Sequence, residues 1–421
     1  MQAYHNKEKG FGIIYDDIFL VNGARTPFGK LCGTLANISP TDLGIYACRA
    51  ALAKAGVSPG DIDQVMMANI GQCSYDSYFL PRHVGLYSGV PEKVPAVMLQ
   101  RICGSGFETI TAGADQITLG KADVALCGGT ESMSLAPTVS YGNRMGYALG
   151  KVEFRDFLWE ALNDTAGVPM GCTAENVAKQ YGITRAETDE FGKLSMDRAI
   201  AATERGFLRD EITPLNSAVF EAAGCKPRKV NLPKKVIDFV TDENIRTSSL
   251  EIMSKLPTVF DKEGVQTAAN SSGMVDGAAA AIVARKSYID AKGISPLSRI
   301  VASATSAVDH KVMGLGPIPA IRLLLEMTGL RIEDIGLVEI NEAFGAQFIG
   351  CERELGLDRN ICNVNGGAIA YGHPLAATGL RLSVTLSREM TIRNVKYGIA
   401  SACIGGGQGN AILFENINLR Q

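Results

Sequence analysis

Two stretches of this chain, set 273 residues apart, read as copies of one another. Gly56-Val-Ser-Pro-Gly-Asp-Ile-Asp-Gln-Val65 lies on Gly329-Leu-Arg-Ile-Glu-Asp-Ile-Gly-Leu-Val338 with four of ten positions identical. Each stretch ends a helical pattern and begins a strand pattern. A second pair, Asp123–Gly129 with its Cys-Gly-Gly and Ile399–Gly407 with its Cys-Ile-Gly-Gly-Gly, sits at nearly the same offset. Internal repetition constrains architecture more than any local signal, and here it predicts two similar halves. Short apolar runs alternate with helical stretches in both, which predicts parallel α/β units. Strands are expected at 18–22, 64–70, 96–100, 123–127 and 278–283 in the first half. The second half offers 299–304, 337–340, 361–365, 397–401 and 411–414.

Residues 133–274 break this rhythm and read as an insert lying over a site made by the two halves. Within it, Thr184 with Glu187 three residues on is a capping-box start for a helix running to Arg205 and stopping at Gly206. Residues 210–245 are mixed in charge and read as irregular. The expected division is therefore 17–132 plus 275–296 as the first half, 133–274 as the insert and 297–421 as the second half. Residues 1–16 remain as a polar extension, with no role evident.

The 46% apolar content supports a large core, and a net charge of −3 argues against a general polyanion or nucleic-acid binder. No apolar run approaches the ~18 residues of a membrane span. The extension has neither a secretory apolar core nor the acid-poor, Arg-rich character of a transit peptide, so a cytoplasmic location is expected. The ten cysteines include no C-x-x-C pair, and reduced thiols are expected, with no metal site.

Chemistry concentrates where these residues meet glycine. Cys103, in Cys-Gly-Ser-Gly, falls between a strand run and a helical run. Free amides and the helix dipole at such a junction can lower a thiol pKa; a small buried structural cysteine is the other reading. Only four histidines exist. His373, between Gly372 and Pro374, is the best base on local grounds, against a purely structural His-Pro turn. Cys403 precedes a Gly-Gly-Gly-x-Gly loop whose amides could receive an oxyanion, or it packs as a small residue. Asn341, at a strand end, is either a polar site group or a helix N-cap.

Taken in order, Cys103-Gly-Ser-Gly, Asn341-Glu-Ala-Phe, Gly372-His-Pro and Cys403-Ile-Gly-Gly-Gly-x-Gly resemble the motifs of the thiolases. The likeness spans about 17–416 and includes Gly128-Gly-Thr-Glu-Ser-Met and Asn270-Ser-Ser-Gly-Met-Val-Asp-Gly-Ala. It implies an α/β thiolase fold, a duplicated αβαβα layered sandwich of two five-stranded halves with an inserted loop domain, in a homodimer or a homotetramer of dimers. It also implies roles. Cys103 would be the nucleophile that becomes an acyl-thioester, His373 its activating base, and Cys403 the acid/base at the substrate α-carbon. Asn341, through a water, and His373 would form one oxyanion hole, and the amides of Cys103 and Gly405 the other. Coenzyme A and acyl-CoA would be substrates, with no permanently bound cofactor. Met170, Leu256, Phe260, Ser272 and Phe344 would line the pantetheine tunnel, with Arg246 near the adenine end. Short-chain biosynthetic thiolases carry His-Met-Gly where this chain has Pro169-Met-Gly. That difference points to broad 3-oxoacyl-CoA cleavage over strict acetoacetyl-CoA chemistry. A non-catalytic acyl-CoA binder on the same fold is the alternative of another class.

Overall fold

The computed structural model describes residues 1–420. Its principal strands are β1 (Gln2–Asn6), β2 (Gly10–Ile14), β3 (Ile18–Arg25), β4 (Gln64–Ala68), β5 (Ala96–Leu99) and β6 (Val124–Ser132). β7 (Val275–Arg285), β8 (Ser298–Ala307), β9 (Leu337–Ile340), β10 (Tyr397–Ile404) and β11 (Gln408–Glu415) complete the series. The principal helices are α1 (Pro40–Ala55), α2 (Leu80–Tyr87), α3 (Ser105–Thr118), α4 (Met170–Tyr181) and α5 (Arg185–Glu204), then α6 (Pro317–Thr328), α7 (Gly345–Leu355) and α8 (Thr378–Arg393).

The repeat is real in three dimensions. One half is ordered β3-β7-β6-β4-β5 and the other β8-β11-β10-β9. The matched segments adopt the same local course. Gly56 and Gly329 both end a helix in the left-handed region, at φ 64° and 70°, which glycine enters at little cost. A single 3₁₀ turn then leads each chain into a strand. The two half-sheets join edge to edge through two register pairs, Ser298 with Leu20 and Arg299 with Phe19.

Alternation along the strands shows the layering. On β7, Ala278, Ala280, Ile282 and Ala284 face a core shared with α1, while Ala279, Ala281 and Val283 face one shared with α3 and α8. On β11, Ile412 and Phe414 join that same central core, and Ala411 and Leu413 face α6 and α7. Both faces of both half-sheets are therefore covered, and α3 and α8 form the middle layer of an αβαβα sandwich. They touch through glycine. A side chain on Gly106 would lie 2.8 Å from the Gly379 nitrogen, and one on Gly379 would lie 2.3 Å from the Phe107 nitrogen. These two glycines are themselves 273 positions apart.

Four expectations change. The sheets are mixed, not parallel: only β4–β5, β4–β6 and β9–β10 run parallel. Apolar runs buried on both faces look alike in either direction. The segment 361–365 is not a strand, so the second half has four strands. Asn363 sits at φ 43°, and its side-chain amide bonds both the N–H and the carbonyl of Ile340, at 2.9 and 2.8 Å. A side chain thus replaces the ladder, leaving one bridge between Val338 and Cys362. Residues 1–16 form a hairpin whose β2 pairs with Ala302–Thr305 of β8. Residues 210–245 hold two small hairpins, Leu215–Asn216 with Asp238–Phe239 and Ala218–Phe220 with Arg228–Val230.

The insert grows from the tip of the β6–β7 antiparallel pair. In the other half that tip is the glycine turn between β10 and β11. α5 begins at Thr184 with its capping box, as expected. Phe191 on α5 stacks on Phe348 of α7, centroids 4.3 Å apart, while Phe220, Val230 and Phe239 join the core of α1. The insert therefore rests on both halves. Buried Arg25 pins it, donating to Asp242 at 2.7 and 2.9 Å and to Glu211 at 2.9 Å.

Candidate active site

The two junctions that lead into α3 and α8, one from a strand and one from the short helix Ala368–Tyr371, meet where these helices touch. The first carries Cys103 in a one-turn 3₁₀ segment, Ile102–Gly104, ahead of α3. Ile102 adopts φ 41°, an unusual position for a β-branched residue that costs about 1–3 kcal/mol. The surroundings hold it there: a side chain on Gly104 would strike Ile404 Cδ1 at 2.5 Å and Asn410 Nδ2 at 2.8 Å. Asn410 Nδ2 also donates to the Gly104 carbonyl at 3.1 Å. The nucleophile turn is thus wedged against the end of β10, which carries Cys403. Cys103 is buried among Ala68, Ile70, Met133, Leu375 and Ala376.

The second junction carries His373. Gly372 turns the chain at φ 94°, and the His373 N–H donates to the Gly273 carbonyl at 2.9 Å. Its Nδ1 lies 2.6 Å from Thr378 Oγ1. That hydroxyl donates its single proton to the Pro374 carbonyl, at 3.2 Å. That arrangement is consistent with the tautomer that carries the ring proton on Nδ1 and leaves the Nε2 lone pair free. Nε2 accepts from Asn341 Nδ2 at 3.3 Å. Asn341 extends from the end of β9, where its N–H donates to the Ser401 carbonyl at 2.9 Å. It is not a helix cap, since α7 starts only at Gly345. The Asn341 Oδ1 is buried without a protein partner, an open acceptor beside the base. Sequence reasoning missed Thr378; its only signal is its place one turn after Pro374, at the start of α8.

Glycines after Cys403 admit the remaining groups. A side chain on Gly405 would collide with Met170 Cε at 2.3 Å, and one on Gly171 would collide with the Phe260 ring at 2.3 Å. Phe260 meets Phe344 edge-on, centroids 5.7 Å apart. The Ser272 N–H donates to the Ala343 carbonyl at 3.0 Å, next to Phe344. Met170, Phe260, Phe344 and Ser272 are thus gathered beside Gly405. Leu256 is partly buried against the second-half core. Arg246 is not drawn in: it is exposed and donates to Asn244 and to the Ala268 carbonyl.

Electrostatics corrects one expectation. The helix-start position of Cys103 predicts a lowered thiol pKa, yet burial pushes it up to about 12. The N–H groups of Gly405 and of Cys103 itself point at the sulfur and favour the thiolate, but they only partly offset desolvation. Burial, with help from the Arg381 charge, pushes His373 down to about 3. Burial also raises the Cys403 thiol well above its ordinary value, and the neighbouring Cys103 adds to this. Burial thus favours a neutral thiol and a neutral imidazole at rest.

The thiolase N-terminal domain family matches residues 18–287 and the thiolase C-terminal domain family residues 294–416. The chain belongs to the thiolase family. The thiolase is 43% identical to the mitochondrial 3-ketoacyl-CoA thiolase of Bos taurus over 402 residues, 95% of this chain and 98% of that protein. It is 40% identical to an acetyl-CoA acetyltransferase of Cupriavidus necator, covering 95% and 99%. Its fold superposes on the crystal structure of human mitochondrial 3-ketoacyl-CoA thiolase in complex with CoA with a TM-score of 0.89. That match has 42% identity and covers 95% of this chain and 98% of that one.

A neutral pair makes a testable demand on pH. Thiolate forms only as pH climbs toward the raised thiol pKa, so its fraction grows about tenfold per unit below that value. Iodoacetamide modification of Cys103 in the free thiolase should therefore keep accelerating from pH 7 to 9. A plateau from pH 6 upward, measured by intact mass, would mean a resting thiolate–imidazolium pair instead.

Proposed function

We propose that this thiolase cleaves 3-oxoacyl-CoA to acyl-CoA and acetyl-CoA, and runs the reverse condensation, through an acyl group carried on Cys103. The observation that supports this most is the buried Cys103 thiol beside Cys403, with the Gly405 and Cys103 amides aimed at its sulfur. As substrate binds, His373 Nε2 takes the Cys103 proton. The thiolate attacks the 3-oxo carbonyl, and the C2–C3 bond breaks to leave an acyl-cysteine and the acetyl-CoA enolate. Cys403 returns a proton to the α-carbon. A second CoA thiol then gives its proton to the Cys403 thiolate and takes the acyl group, and His373 returns its proton to the released Cys103 thiolate. Thiolate suits both steps because it is a good nucleophile and a good leaving group. Asn341 with His373 faces one developing oxyanion, and the Cys103 and Gly405 amides face the other. Met170, Phe260, Phe344 and Ser272 form the pantetheine wall. Arg246, exposed on the insert, is available to the distal end of CoA.

A broad chain-length range is part of the proposal. A cavity of about 510 Å³ is lined by Ile70, Ile102, Tyr141, Phe157 and Ala161 on its apolar side and by Gln100, Arg155 and Glu160 on its polar side. It adjoins the nucleophile turn through Ile102, and its apolar side suits an alkyl chain. We also propose a homodimer, either alone or doubled into a tetramer. β5 ends its half-sheet, and Tyr75, Tyr78, Phe79 and Val97 stand exposed around it, a patch of a kind that marks association.

Cys403→Ser should acylate normally yet fail to exchange the α-proton of acetyl-CoA with solvent deuterium. Normal exchange would remove Cys403 from the acid/base role. Cleavage of 3-oxoacyl-CoAs, followed by loss of enolate absorbance, should hold or rise from acetoacetyl to longer chains. Activity confined to acetoacetyl-CoA would favour the short-chain reading, and no activity the non-catalytic binder. Light scattering should return at least twice the 44.7 kDa chain mass, and a monomer would refute the association.

A further inference from the structure

The residue before the strained Ile102 has contacts that the mechanism above does not use. Arg101 Nε and Nη2 donate to both oxygens of Glu108, at 2.6 and 3.2 Å, in the first turn of α3. Its remaining nitrogen, Nη1, donates to Gln408 Oε1 at 3.1 Å. Gln408 is the first residue of β11, directly after Gly405-Gly406-Gly407. On its other side the guanidinium faces Phe11, 5.9 Å from the ring centroid. One planar group therefore joins the nucleophile helix, the far end of the glycine turn and the N-terminal hairpin.

That turn needs a tie. Gly406 and Gly407 sit at φ 83° and 81°, and glycine resists no alternative conformation. The amides of Cys103 and Gly405, which both point at the sulfur, lie on opposite sides of the Arg101–Gln408 bond. The guanidinium stays charged at every working pH, and its fork can hold a carboxylate and an amide oxygen together, which an ammonium cannot do in one plane. Phe11 lies outside the stretch that matches the family, which starts at residue 18.

We propose that Arg101 is a positioning residue for acyl transfer, fixing the spacing of the Cys103 and Gly405 amides, and that the N-terminal hairpin seats it through Phe11. The inference rests on the acyl-transfer reading of Cys103. The plain alternative is a surface ion pair of small worth, and the two differ in what they do to chemistry.

Two reactions of one thiol separate them. Acylation of Cys103 by acetyl-CoA builds an oxyanion, whereas alkylation by iodoacetamide builds none. Both rates are read by intact mass on the full-length enzyme at one pH. In Arg101→Ala and Arg101→Lys the ratio of acylation to alkylation should fall about tenfold, less than the 10²–10³ for deleting a donor outright. Phe11→Ala should lower it about threefold, as a partly exposed cation–π contact allows. Gln408→Ala, which leaves the Arg101–Glu108 pair intact, should match Arg101→Ala and serves if that variant does not fold. Gln408→Glu restores an acceptor and should return the ratio to the wild-type value. An unchanged ratio in Arg101→Ala or Gln408→Ala, or both rates changing together, would overturn the proposal. Failure of the wild-type enzyme to take up acetyl would instead overturn the acyl-transfer reading.

Discussion

Everything at the active site depends on the contact between Gly106 and Gly379. A methyl group at either position would need space held by the other helix's backbone, so α3 and α8 approach as closely as bare backbones permit. Each helix is preceded by a tight turn, and each turn carries one reacting group. The Gly106–Gly379 contact thus sets the turn carrying Cys103 against the start of the helix that follows His373. The duplication explains why such a contact exists, because it brings the same glycine of the same motif from both copies to one place. Where the copies differ, at the hairpin tips, one has a glycine turn and the other an insert of two long helices, two short ones and small hairpins. The glycine tip supplies amides, and the insert supplies the wall with Met170 and Phe260.

The second constraint is dryness. Cys103, Cys403, His373 and Asn341 are all nearly or fully buried. In such a setting an ion pair at rest is expensive, so the proton stays on sulfur until a substrate brings polar groups of its own. The same low-dielectric setting strengthens the fixed dipoles aimed at a developing charge. Burial therefore suppresses the resting nucleophile while it prepares the transition state.

Much of this was legible in the sequence. Gly56 and Gly329, the Thr184–Glu187 cap and the Gly-rich turns are local signals whose physics needs no partner, and the structure shows them where they were read. The roles expected of Cys103, His373, Asn341 and Gly405 came from the order of motifs and the resemblance; the structure sets Asn341 against His373 and the Gly405 amide against Cys103. What stayed hidden was decided at long range. Strand direction could not be read from runs buried on both faces. Asn363 imitates a strand with its side chain, which no β-pattern encodes. The thiol pKa at Cys103 was misjudged because a helix dipole is visible in sequence and desolvation is not. Thr378 became a candidate only once the His373 ring orientation was on view.

The N-terminal hairpin has a consequence for how the chain reaches this state. By sequence it opens the first half, yet its hydrogen bonds go to β8 of the second. β3 in turn takes its partner β7 from beyond the insert. The first strands made must therefore wait for partners synthesised hundreds of residues later. Such long sequence separations slow folding, because loop closure precedes the contacts that reward it. The halves share an ancestry of pattern but not an independent folding history. A break in the chain between residues 285 and 298 would separate strands that lie side by side, and neither fragment should reach its native sheet alone.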